Sequence, residues 1–193
     1  MECFFFVIFT YLTRRIVAEM NTLSHKIALT INKYNPENTS SIEVMQYALN
    51  IIMNTLLILI ISLLVGLFTG QLIETSLVLL SFSTLRFFSG GAHLKTALTC
   101  NIFSIILCTA IPHLVFLVKD LFWIVNGISL ILMLLFAPNP DINAQIPSKR
   151  YPVMKLISIL LVFSNFFIYS SVIGLAFMAQ SLTVIPLKRR SLL

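Results

Sequence analysis

Four apolar segments follow one another with almost no chain between them: residues 48–68, 72–88, 102–118 and 121–136, separated by Thr69 to Gln71, by a stretch centred on "SGGAHLKTALTC", and by the pair Lys119 and Asp120. Each is long enough, or nearly so once flanking side chains snorkel, to cross a hydrocarbon core of about 30 Å. Backbone inside such a core has to satisfy its own hydrogen bonds, which leaves helices as the available structure for runs of this length. The whole chain agrees, with 58% hydrophobic and 10% charged residues and a mean hydropathy of +0.97, against about 25% charged for an average soluble domain. The expectation is an all-α polytopic integral membrane protein. Its 193 residues leave room for one membrane domain and none for an added soluble one.

The last apolar stretch, residues 156–187, holds 32 residues, about 48 Å as one helix, which is too long for one ordinary span. A bend near Tyr169, Ser170 and Ser171 makes two short spans of it, for six in all; without the bend there are five. Charge separates the two arrangements. With six spans, twelve of the thirteen basic residues fall on one side and only Lys119 on the other; with five, Lys188, Arg189 and Arg190 join Lys119 and nine remain. The tendency of Lys and Arg to stay cytoplasmic favours six spans with both termini inside. It also accounts for most of the net charge of +6 without an anionic partner such as nucleic acid. Residues 20–34 place Leu23, Ile27, Ile31 and Tyr34 on one helical face with Lys26 and Lys33 elsewhere, the pattern of an amphipathic helix in the membrane interface or packed on the membrane domain.

On this topology Arg86, Ser89, Gly90, Gly91, His93, Lys95 and Cys100 gather at the cytoplasmic mouth between the second and third spans. In a chain this poor in polar side chains, such a cluster points to function. Each residue alone has a plain reading: an orientation signal for Arg86 or Lys95, a turn for the glycines, a small helix-contact residue for Cys100. Together, an imidazole and a thiol suggest nucleophilic catalysis, because a free thiol is only a few per cent ionised at neutral pH and needs a base. On one continuous helix His93 and Cys100 share a face but stand about 10 Å apart, so the backbone is expected to break between them. Thr96 or Thr99 can cap the new helix, putting Cys100 near an N-terminus that favours a thiolate. Backbone N–H groups at Gly90 and Gly91 are candidates to stabilise an oxyanion. A metal site from His93, Cys100, Cys108 and His113 ranks well below this, since Cys108 and His113 read as packed span residues; neither metal nor cofactor is expected. Three cysteines, Cys3 included, give no disulfide framework.

Arg86, Gly91, His93 and Cys100, spaced Arg-x-x-x-x-Gly-x-His with Cys seven residues on, resemble the accessory gene regulator B (AgrB) family of bacterial membrane cysteine peptidases. "QYALN" before the first span, "LLFAPNPDINAQIP" after the fourth and the order of spans extend the likeness from about Met20 to the C-terminus. Residues 1–19 fall outside it, so they read as an N-terminal extension with Met20 a candidate start, and residues 20–193 as a single membrane peptidase domain. The resemblance implies a multi-pass protein of the bacterial cell membrane, active at the cytoplasmic face. It implies Cys100 as nucleophile and His93 as base, with Arg86 and Gly91 at supporting motif positions. The implied substrate is a small quorum-sensing propeptide with an amphipathic leader, a central Cys or Ser and an acidic tail, cleaved near that tail and closed into a thiolactone or lactone. A homodimer is compatible with it. Where the family commonly reads Tyr-Gly-Leu-Glu or Gln, this chain has Tyr47, Ala48, Leu49 and Asn50. It also has Ile142 to Ala144 in place of a lysine-rich loop, leaving Lys149, Arg150 and Lys155 as the nearest basic residues for binding the tail.

Two other classes compete. A small peptide transporter or exporter would use the glycines as a hinge and Arg86 as a substrate contact, and needs polar residues along a pathway; Asn126 and Asn165, with Glu74 near a span end, are the main ones on offer. An inert anchor or assembly subunit leaves the cluster unexplained.

Overall fold

The structure, a computed structural model, describes residues 2–34, 41–92, 96–140 and 146–186, with side chains at 2–14, 16, 17 and 97 excepted. His93, Ile142 to Ala144 and the basic residues Lys188 to Arg190 lie outside the described residues. Among the described residues, seven α-helices occur in order: α1 (Glu2–Tyr34), α2 (Ile42–Phe68), α3 (Leu72–Ser89), α4 (Ala97–Val118), α5 (Phe122–Phe136), α6 (Tyr151–Ile168) and α7 (Ser171–Val184). Short 3-10 turns at Lys119–Leu121 and Ser148–Arg150 precede α5 and α6. Among the described residues, four stretches are long and apolar enough to cross a membrane: α2, α3, Leu98–Phe136 and Ser148–Ile168. The third contains both α4 and α5, divided at Lys119 and Asp120 as their charge requires; α7 is a shorter apolar helix. The chain is a polytopic helical membrane protein.

Contacts divide it into two units: residues 1–61 with 95–103, and residues 62–94 with 104–193. In the first, α1 packs on α2 through small and polar side chains. Ser24 and Ala28 are buried; Ser24 Oγ donates to Asn50 Oδ1 at 2.7 Å, Asn50 Nδ2 donates to Asn21 Oδ1 at 2.7 Å, and His25 Nδ1 lies 2.9 Å from Gln46 Oε1. Leu23, Ile31 and Tyr34 stay exposed. The apolar face expected of this segment is thus turned outward, as a helix in the membrane interface requires. α1 starts well before Met20 because residues 2–19 continue the same helix. Asn50 holds α1 to α2.

In the second unit, α3, α5, α6 and α7 surround a core of Leu85, Met133, Ala137, Val162, Phe177 and Val184. Val78 and Phe82 of α3 join Cys108 and Ile111 of α4 and Ala176 of α7 in a second cluster. The α2–α3 hairpin closes tightly: a Cβ on Gly66 would come within 2.7 Å of Thr75 Oγ1. At the other hairpin, α6 ends at Tyr169, whose φ of 58° is left-handed, and Ser170 caps α7 by accepting from Ile173 N. This is the bend that the 32-residue length demands. Asn165, fully buried, secures it: Nδ2 donates to Ser170 O and to Asn126 Oδ1, each at 3.1 Å, and Oδ1 accepts from Ser170 N. Free backbone groups at a helix break in lipid need such partners.

The reversal at Tyr169 predicts that Ser148 and Leu193 lie on one side of the membrane. Reporters active only in the cytoplasm, fused at each position, should be both active or both silent; opposite results would make α6 and α7 a single crossing.

Candidate functional site

Cys100 belongs to the first unit, on the opening turn of α4. Thr96 is the cap: its Oγ1 accepts from Thr99 N at 3.2 Å, and its carbonyl accepts from Cys100 N at 3.1 Å. Of the two threonines, the earlier one starts the helix, so Cys100 is its fourth residue rather than its first. Cys100 still lies on the opening turn of α4. Cys100 is free and half-buried. Its neighbour Asn101 is buried and donates through Nδ2 to Asn54 Oδ1 on α2 at 2.7 Å, a link between α4 and α2 that adjacency in sequence did not reveal. Cys108 is different: it is 1% exposed and packed in the apolar cluster of the second unit. His113, further along α4, is exposed.

The glycine turn belongs to the second unit, and every N–H of Gly90, Gly91 and Ala92 is engaged. Gly90 N donates to Arg86 O at 2.9 Å, Gly91 N to Asn139 O at 2.9 Å, and Ala92 N to Thr183 O at 2.7 Å. Asn139 N returns a bond to Ser89 O at 2.8 Å, forming a single parallel bridge between the turn and the segment after α5. The expectation that the Gly90 and Gly91 amides face an oxyanion is therefore corrected: they serve to dock the turn, because backbone leaving a helix in an apolar bundle has to be satisfied locally.

Three side chains complete the docking. Gln180 of α7, fully buried, donates from Nε2 to Gly90 O at 2.6 Å and to Ser89 Oγ at 3.0 Å. Its Oε1 accepts from Thr183 Oγ1 at 3.1 Å and from Arg86 Nη1 at 3.5 Å. Arg86 also donates from Nη2 to Ala92 O at 3.2 Å, spanning the turn, and its guanidinium lies 5.9 Å from the centre of the Phe82 ring. Asn139 Nδ2 donates to Val184 O at 3.1 Å. Arg86 and Gly91 thus come together in one network, with Gly91 against Thr183, Gln180 and Arg86.

Glycine is required here for space as well as conformation. Gly90 has φ 69° and ψ −147°, a region nearly closed to other residues, and a Cβ there would run into Asn139 O. Gln180, Thr183 and Asn139 went unremarked in the sequence; a buried glutamine inside an apolar run was the available signal. Lys149 and Arg150 are exposed in the 3-10 turn before α6, and Lys155 is half-buried on α6. They lie at the same end of this unit as the glycine turn, since α3, α5 and α7 finish there and α6 begins.

Gly70, with φ 71° and nothing within 4 Å of a Cβ, is a control for Gly90. Gly70→Ala should cost about 1 kcal/mol, the strain of a left-handed residue alone, and Gly90→Ala about 3 kcal/mol or more. Thermal unfolding in detergent measures both; equal losses would remove the case for close docking at Gly90.

The family described as accessory gene regulator B matches residues 24–186. An AgrB-like protein of Halalkalibacterium halodurans is 35% identical over 108 residues, 56% of this chain and 52% of that relative. The match thus spans about half of the relative's length. No solved structure matches. The extent of the family match, residues 24–186 of the 193, shows that this chain belongs to the AgrB family.

Proposed function

We propose that this chain is a membrane cysteine endopeptidase that cleaves a quorum-sensing propeptide at the cytoplasmic face, near the propeptide's acidic tail. Its family ties it to quorum-sensing peptide processing. The observation that carries the finer reading is the state of Cys100: a free, half-buried thiol on the first turn of a Thr96-capped helix, seven residues after His93.

In this reading His93 takes the Cys100 proton, and the thiolate sulfur attacks the carbonyl carbon at the junction with the tail. The tetrahedral oxyanion collapses, breaking the C–N bond; the protonated imidazole gives its proton to the departing amine, and the leader and ring segment remains on Cys100 as a thioester. The propeptide's own thiol or hydroxyl then attacks that thioester, passing its proton through His93 to the leaving Cys100 sulfur, and closes a thiolactone or lactone. Lys149, Arg150 and Lys155 would receive the acidic tail.

The transporter reading loses its main support. Asn126 and Asn165, the polar residues it needs along a pathway, are fully buried and bonded to each other, with Asn126 Nδ2 also donating to Val162 O. They hold the α6–α7 break.

Cleavage, by the purified protein, of a propeptide with an amphipathic leader, a central Cys or Ser and an acidic tail tests the proposal. Cys100→Ala should insert normally and not cleave, and Cys100→Ser should do little better. His93→Ala should cost about 10²- to 10⁴-fold, the usual scale of general-base loss, while Cys3→Ala and Cys108→Ala cleave at near the wild-type rate per folded molecule. Replacing Lys149, Arg150 and Lys155 together with Gln should weaken cleavage and flatten its salt dependence, since exposed charges are screened beyond about 8–10 Å. Full cleavage by Cys100→Ala would end the peptidase reading; an unchanged salt response would return the three basic residues to a topological role.

A further inference from the structure

Tyr169 closes α6 with a φ of 58°, at a position where helices commonly end on glycine and a bulky side chain is unfavourable. Its ring adds little to the core, being 60% exposed. It lies 4.4 Å from the Phe122 ring and 5.8 Å from the Trp123 ring, centre to centre, and Trp123 stacks on Phe166 at 5.7 Å. Phe122 beneath them is buried, whereas Trp123 is as exposed as Tyr169. These rings form one patch where α5 begins and α6 ends, at the end of the second unit opposite the glycine turn.

Polarity changes in a fixed order along this side of the unit. Ile124 and Ile131 on α5, with Leu156 and Leu160 on α6, leave purely apolar faces exposed. Trp123 and Tyr169 come at the end of those faces, and the exposed charges of Lys119 and Asp120 lie just before Trp123 in the chain. Neither the indole N–H nor the phenol hydroxyl has a hydrogen-bond partner among the described residues. An unpartnered donor is costly in hydrocarbon, while the rings that carry these donors favour apolar surroundings. The layer that meets both demands is the interface of a bilayer, where aromatic side chains with one polar end collect.

We propose that Trp123 and Tyr169 form a lipid-binding surface that fixes this end of the second unit in the interfacial layer, their N–H and O–H donating to phospholipid ester or phosphate oxygens. The left-handed tyrosine then has a reason: glycine would close α6 at less cost but would bring no ring to the interface. The buried Phe122 and the stacked Phe166 hold the two outer rings at one level, so that α5 and the α6–α7 break are anchored together.

Trp123 is the sole tryptophan of the chain, so the wild-type protein carries its own probe. In full-length protein reconstituted into phosphatidylcholine vesicles, quenching of its fluorescence by bromine placed high or low on the acyl chains measures its depth. The indole should lie about 15 Å from the bilayer centre, the edge of a hydrocarbon core about 30 Å thick, and the high bromine should quench it more than the low one. Two further variants, each in a Trp123→Phe background, move the probe. Tyr169→Trp should report the same depth as Trp123. Ile131→Trp, about 12 Å further along α5, should report a site near the bilayer centre and be quenched more by the low bromine. A Trp123 that no brominated lipid quenches is covered by a second copy or another protein, or lies in water, and overturns the proposal. Equal depths for Trp123 and Ile131→Trp overturn it too, because the aromatic patch would then mark no level in the membrane. Neither readout uses cleavage, so the outcome stands apart from the peptidase reading.

Discussion

Backbone that leaves a helix inside an apolar bundle has to find hydrogen-bond partners there, and the segment from Ser89 to Ala92 meets that constraint through the rest of the second unit. Its three free N–H groups go to Arg86, to the segment after α5 and to the last turn of α7, and Gln180 holds the Gly90 carbonyl. In water such a turn would need none of these partners. In lipid each missing bond is costly, so the break between α3 and α4 is permitted only because α5 and α7 end beside it. This explains why a chain with so few polar side chains keeps glutamine, asparagine and threonine within a few residues of one another at that end.

The same constraint is met at the opposite end of the unit by Asn165, which bonds both backbone groups of Ser170 where α6 gives way to α7. Two non-helical breaks therefore account for the three fully buried amides among the described residues of the second unit, Asn126 and Asn165 at one and Gln180 at the other. The asparagine pair joins helix ends that carry no candidate chemistry. Gln180 holds Ser89 and Gly90 in the glycine turn. The first unit solves a different problem: Asn50 and Asn54 on α2 tie down α1 and the start of α4 respectively, and the Thr96 cap leaves Cys100 on the opening turn, free and half-buried.

The helices and their order were legible because length and hydropathy constrain a membrane chain strongly. The break at Tyr169 followed from a stretch too long for one span, and the division at Lys119 from charge. The choice between Thr96 and Thr99 was not legible, since hydroxyls three residues apart offer nearly the same cap. The role of Gln180 was hidden for another reason: its partners are about 90 residues away, and nothing local distinguishes a glutamine that clamps a turn from one that lines a pathway. The glycines were read correctly as special but for the wrong atoms. Their amides looked available to a reacting group because their acceptors, Arg86 O aside, come from distant elements.

The central claim is that Cys100 carries the peptide as a thioester. Incubating the wild-type protein with a propeptide whose internal Cys or Ser is replaced by Ala removes the second nucleophile and should leave the leader and ring segment attached. Intact-mass measurement should then show one adduct per chain, mapped to Cys100 and released by hydroxylamine, and none on Cys100→Ala. Cleavage of that propeptide without any hydroxylamine-sensitive adduct on rapid quenching, or an adduct that persists in Cys100→Ala, would contradict it.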